Sequence, residues 1–182
     1  MSTQRLDCPR RRFVTVALLA VIAVLLGLHC ARTKTLNRSP IPASGWHALA
    51  SAERFDLLAL GALTDTQGSF HSYLILGTVS IPESGARRAL VQALQAATKA
   101  SDGSLRSCIA PRHGIRVTST EGKVTDFVFS FECWHGYMIE ANGQSTEFTI
   151  AEAPAKDFDE ALVRGGASVA PPTPLLSPTS SP

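Results

Sequence analysis

Two short blocks of the 182-residue chain hold most of the side chains able to do chemistry. They are Cys108-Ile-Ala-Pro111-Arg112-His113-Gly114-Ile115-Arg116 and Phe131-Glu132-Cys133-Trp134-His135. A disulfide is the first chemistry they suit. A turn at Glu121-Gly122 makes the blocks face each other across a hairpin, with Cys108 opposite position 135 and Cys133 opposite position 110. The cysteines are then diagonal neighbours, and a bulge at Pro111 brings their Cβ atoms within the roughly 4 Å that a bridge requires. In an oxidising compartment the bridge closes a loop of about 25 residues and adds about 2–4 kcal/mol. In a reducing one the same pair reads as two buried thiols. Zinc is the second chemistry: Cys108, His113, Cys133 and His135 form a Cys2His2 set, with Cys133 and His135 two apart and therefore on one strand face. The C-x4-H and C-x-H spacings are not standard zinc patterns, and the cofactor expectation is none unless zinc binds here.

A third chemistry enters by resemblance. Arg112-His113-Gly114-Ile115-Arg116 resembles the R-H-G-x-R opening motif of the histidine phosphatases. That likeness implies His113 as phosphoryl acceptor with Arg112 and Arg116 holding its oxygens, and makes Arg112, His113, Arg116 and Glu132 the candidates for catalysis. Those enzymes set the motif between a strand and a helix and need a further acid and a second distant histidine. Here alternating strand residues follow, and no His-Asp pair lies downstream. The plainer reading pairs Arg112 and Arg116 with Glu132 and Asp126 across the hairpin, for about 0.2–1 kcal/mol each. His71 could approach His113 if their strands are neighbours, although a lone strand histidine is more often a satisfied partner than a catalyst. No Ser/His/Asp spacing, phosphate-cradling glycine loop, dinucleotide fingerprint or EF-hand pattern appears.

The elements that must position these residues follow from periodicity. Phe55 to Leu60 and Phe70 to Ser80 read as paired strands, and Pro82 breaks the pattern. From Ser84 as N-cap, Leu90, Val91, Leu94 and Ala97 share one face of a helix ending near Ser101-Asp102-Gly103. The period then becomes two: Ile115, Val117 and Ser119 alternate with polar residues, and Phe127, Phe129 and Phe131 share a face on the return strand. Tyr137 to Glu140 and Glu147 to Ala151, joined by Ala-Asn-Gly-Gln-Ser, extend the meander. Asp157 with Glu160 suggests a capping box for a closing helix with Phe158, Ala161 and Leu162 on its apolar face, ended by Gly165-Gly166. The expected fold is α+β: an antiparallel sheet of five to six strands with two helices on one face, in the order β-β-α-β-β-β-β-α, preceded by one N-terminal transmembrane helix.

The string from Leu76-Gly77 through Arg87-Arg88, C-x-x-P-R-H-G-I-R, Asp126 and F-E-C is similar to a family of uncharacterised small bacterial proteins, many of which begin with an export or anchor segment. The likeness covers about residues 55–162 and implies no activity. Trp134-His135 after F-E-C departs from the pattern.

The N-terminus agrees with an anchored family. Residues 1–12 are basic, and the uncharged run from Phe13 to Leu28 follows Arg10-Arg11-Arg12. With His29 to Ala31 at the far interface, residues 13–31 are long enough for a single span, since about 20 residues are needed to cross the hydrocarbon layer. A cleaved signal sequence and lipid attachment at Cys30 are the alternatives, and a buried helix of a soluble protein is the plain one. The arginines before the span favour an exported C-terminal domain by a slight margin over Arg32, Lys34 and Arg38 behind it. Residues 32–45 read as a polar linker, 46–166 as the α+β domain, and 167–182, with five prolines, as a disordered tail. The first dozen residues account for more than the whole net charge of +2, so the domain is nearly neutral and lacks the electrostatic footprint of a nucleic-acid binder. The membrane, through residues 13–31, is the one partner expected, and the composite reading is a non-catalytic binding or structural module outside the cytoplasm.

Overall fold

The computed structural model describes residues 40–106, 108 and 110–171. The basic segment, the 13–31 stretch and the tail beyond Pro171 lie outside them. Among the described residues no helix is long and apolar enough to cross a membrane.

The chain-order elements are α1 (Ala43–Ala50), β1 (Arg54–Leu63), β2 (Tyr73–Ser80), α2 (Ser84–Ala100), β3 (His113–Thr118), β4 (Val124–Ser130), β5 (His135–Glu140), β6 (Ser145–Thr149) and α3 (Ala155–Arg164). All strand pairings are antiparallel, in the order β2-β1-β3-β4-β5-β6. Strand alternation sorts the side chains. Phe55, Leu57, Ile115, Val117, Phe127, Phe129, Met138 and Phe148 join one buried cluster with Leu49 of α1, Leu90 and Leu94 of α2, and Phe158 and Leu162 of α3. Because helical residues reach into the same cluster as these strand positions, the helices cover one face, as a two-layer α+β fold requires. The second face carries a smaller cluster, Leu58, Leu60, Phe70 and Val128.

Several expectations need correction. There are three helices, not two: α1 begins inside the segment read as a linker, with Ile41 2% exposed just before it. Its Ala-rich sequence lacked a polar cap, which is the signal that marks a helix start. Ser84 lies within the first turn of α2, not at its N-cap, and α3 starts at Ala155 after Pro154, which places Asp157 inside the helix instead of capping it. A proline preset near φ −65° opens a helix without a capping side chain. Strand β2 begins at Tyr73; Phe70 forms only an isolated bridge to Tyr73, because His71 and Ser72 turn the chain with φ of 50° and 72°. Strand β6 is shifted earlier, to Ser145–Thr149. Ala167 and Val169, read as tail, pack against the core.

The β3–β4 turn also differs by one residue. Ser119 faces Lys123 across a three-residue loop in which Gly122 takes φ +77°. His113 therefore pairs with Phe129, and Arg116 with Asp126. A two-residue turn would have set Ile115 across from Val128 and split the apolar faces; the longer loop keeps Ile115 beside Phe127.

Candidate functional site

Strand β3 delivers the R-H-G-I-R block, and alternation sends its side chains to opposite faces. His113 points to the helix side and is 1% exposed, its ring packed 5.8 Å from Phe129, 5.3 Å from Phe131 and 5.8 Å from Phe158. Its Nε2 donates to Asp159 Oδ1 at 2.8 Å, while Nδ1 is enclosed without a hydrogen-bond partner. Arg112, immediately before the strand, donates from Nη1 to Glu132 Oε1 at 2.6 Å and from Nη2 to Asp159 Oδ2 at 3.4 Å. These four residues join the β3 edge, the chain after β4, and α3.

Gly114 and Arg116 belong to the other face. A Cβ on Gly114 would stand 2.8 Å from the Phe70 ring, so only glycine lets Phe70 seat there. Arg116 holds Asp126 through two bonds of 2.8 and 2.7 Å, and His71 Nε2 donates to Asp126 Oδ2 at 2.8 Å. Burial of Asp126 works against its ionisation, yet the bonds from Arg116 and then His71 outweigh it and hold the carboxyl below its usual range. Both pairings expected across the hairpin, Arg112 with Glu132 and Arg116 with Asp126, are present. His71 and His113 do not meet, because Phe70 and His71 fold over the face opposite His113 and each histidine has its own carboxylate.

The two cysteines are bonded. Cys108 and Cys133 lie with Cα atoms 5.5 Å apart and 25 residues apart in sequence, joined by a disulfide. Arg106 reinforces the closure: its amide donates to the Cys133 carbonyl at 3.2 Å, and its guanidinium stacks 3.8 Å over the Trp134 ring. The expected zinc set is not assembled, since both sulfurs are bonded to each other. His113 and His135 stand on opposite faces, His135 donating from Nδ1 to the Cys133 carbonyl at 3.1 Å. Among the described residues no group of three or more His, Cys, Asp or Glu side chains is placed to hold a metal ion.

The phosphatase-like constellation does not converge either. His113 offers no exposed nitrogen, Arg116 lies on the far face, and both arginines are neutralised by carboxylates that would compete with a phosphate. A cleft of about 670 Å³ between α2 and α3, lined by Val79, Ile81, Ala86, Leu90 and Ala161, holds none of the candidate residues. Sequence reasoning missed Asp159. It follows the inward-facing Phe158, and a carboxylate next to a core position of a packed helix is the signal that could have found it.

Burial of the imidazole in an aromatic shell pushes the His113 pKa down, and this outweighs the upward pull of the Asp159 hydrogen bond and charge. The unfolded chain, with a histidine pKa of about 6.5, therefore binds a proton that the folded chain resists. Stability contributed by neutral His113 is complete above about pH 6.5 and falls as the pH drops below it, by up to about 1.4 kcal/mol per pH unit. Urea unfolding from pH 8 to pH 5 is expected to show this loss, and His113→Phe, which keeps an aromatic ring among Phe129, Phe131 and Phe158, is expected to flatten the profile over that range. An identical slope in the variant would exclude His113 as the titrating group.

No protein-family model, no curated protein and no solved structure matches the chain, so its function must be argued from this geometry.

Proposed function

We propose that the chain is a membrane-tethered, non-catalytic α+β module that stands outside the cytoplasm and works by binding. One observation carries the reading: reactive side chains of the two blocks are each committed to a partner within the fold, Cys108 to Cys133, His113 to Asp159, Arg112 to Glu132 and Arg116 to Asp126. A bridge of this kind persists where thiols are oxidised, which is the outer side of the membrane that the 13–31 stretch would cross. The motif likeness to anchored and exported bacterial proteins supports the same placement, and the near-neutral domain favours a protein or small-molecule partner over a nucleic acid.

Alkylation of native, unreduced membranes followed by mass mapping tests it. Cys108 and Cys133 are expected to stay unlabelled until a reductant is added, and the chain is expected to sediment with membranes. Alkylation of both residues in the folded, unreduced protein, or recovery of the full-length chain in the soluble cytosolic fraction, overturns the reading.

A further inference from the structure

Around one cleft the polar side chains are not paired off as they are at His113 and Arg112. Strand register sets Val117, Thr125 and Glu140 side by side on β3, β4 and β5, whereas the next row on the same face is the wholly apolar Ile115, Phe127 and Met138. The mixed row floors a cleft of about 430 Å³ bounded by α1 and by the turns that follow β3 and β5. Ser44 and His47, three residues apart and so on one face of α1, form its helical wall. Ser44 Oγ donates to Glu140 Oε1 at 3.2 Å, which steadies the carboxylate on the floor. The Ser119 amide donates to the Lys123 carbonyl and prolongs the β3–β4 ladder, so Lys123, two residues before Thr125, falls on the same face at the mouth of the cleft.

Thr125 is 9% exposed, and what remains accessible of it opens into this cleft. Among the described residues no hydrogen bond or ion pair engages its hydroxyl, the Lys123 ammonium or the His47 ring. A hydroxyl this deep is costly to leave unpaired, and the fold gives it no partner. The groups around it define what a partner must carry. Glu140 accepts from a cation; Thr125, facing it at about 5 Å across the strand pair, and Lys123 donate to an anion. A plain anion would stand against Glu140 and against Glu121 at the mouth, and a plain cation would leave Thr125 and Lys123 unmet. An α-amino acid carries an ammonium and a carboxylate on one carbon, a separation that matches facing side chains on neighbouring strands. The volume lies at the small end for ligand pockets and suits one amino acid or a dipeptide.

We propose that this cleft binds a small zwitterion of the α-amino-acid class, its ammonium on Glu140 and its carboxylate on Lys123 and the Thr125 hydroxyl. The proposal gives the module a site and a ligand class, and it rests on the folded domain and not on where that domain stands.

Titration of the full-length protein in detergent micelles with L-alanine, followed through the backbone amide signals of Lys123 and Thr125, tests it. Propionate and ethylamine, which each keep one of alanine's two charged groups, are the controls. Saturable shifts with alanine are expected, at a Kd about tenfold or more below that of either control, the factor that one charge-assisted hydrogen bond supplies. Lys123→Met and Thr125→Val are each expected to weaken alanine about fivefold or more without lowering the urea midpoint, since neither side chain is bonded within the fold. Thr125→Ser, which keeps the hydroxyl, is expected to retain binding. Alanine that binds no tighter than ethylamine or propionate overturns the zwitterion, and absence of saturation up to about 50 mM overturns the site. Affinity for alanine left unchanged by either Lys123→Met or Thr125→Val places the ligand elsewhere and overturns the proposal as well.

Discussion

Arg112→Met is expected to lower the unfolding free energy of the full-length protein by about 3 kcal/mol, the low end of the range for breaking a buried ion pair. The Arg112 side chain is 10% exposed and meets Glu132 and Asp159, themselves 17% and 32% exposed. Methionine fills the guanidinium stem's volume but leaves two carboxylates facing each other without the cation between them. The effect is held to the low end because Asp159 keeps partial access to solvent. A second signature separates loss of charge from loss of packing. The Arg112 charge pushes the His113 pKa down, so its removal is expected to move the His113 titration upward, toward that of the unfolded chain, and to shrink the acid destabilisation that sets in below about pH 6.5. Adding Glu132→Leu is expected to recover part of the stability, because a hydrophobic substitute removes one of the two carboxylates that have lost Arg112. A loss below about 1 kcal/mol with an unmoved His113 titration would mean that Arg112 behaves as a surface pair.

The sheet was legible because its code is local. The alternation of Ile115 and Val117 and of Phe127, Phe129 and Phe131 names the strands and their buried face, and it contained the means to correct the register. Odd positions lie opposite odd positions only when the loop between β3 and β4 holds three residues, as it does. The hairpin in turn placed Cys108 near Cys133 and both arginines near their carboxylates. Contacts between elements far apart in sequence were not legible. Asp159 reaches His113 from α3, and His71 reaches Asp126 because Phe70 needs the space above Gly114. Periodicity places residues on faces, but it does not say which helix lies over which strand. Helix α1 escaped for a different reason: its Ala-Ser-Gly-Trp-His sequence has weak helix propensity, and tertiary burial of Gly45 and Leu49 sustains it.

Loss of the Cys108–Cys133 bridge is the second large effect expected, about 3.5 kcal/mol for a closed loop of this length in the chain-entropy account. The bridge spans 25 residues, and the described residues of the stretch it fastens, between the end of α2 and His113, form no strand or helix of their own. Arg106 adds to the hold there, through its amide on the Cys133 carbonyl and its stack on Trp134. Trp134 sits at φ +62°, a left-handed conformation that a bulky side chain adopts only when its surroundings impose it, at a cost of order 1–3 kcal/mol. Freed of the bridge, the chain around Trp134 can relax, the Arg106 stack opens, and residues 101–111 become the first site of local unfolding. Cys108→Ser/Cys133→Ser is therefore expected to show a lower urea midpoint, altered Trp134 fluorescence and faster proteolysis within 101–111. Reductant is expected to bring the wild type to the same state and to leave the double variant unchanged. If reductant breaks the bridge and the wild-type midpoint does not move, the fold is held by the Phe127–Phe129–Phe131 core and the Arg112 cluster alone, and the cross-link adds no stability to it.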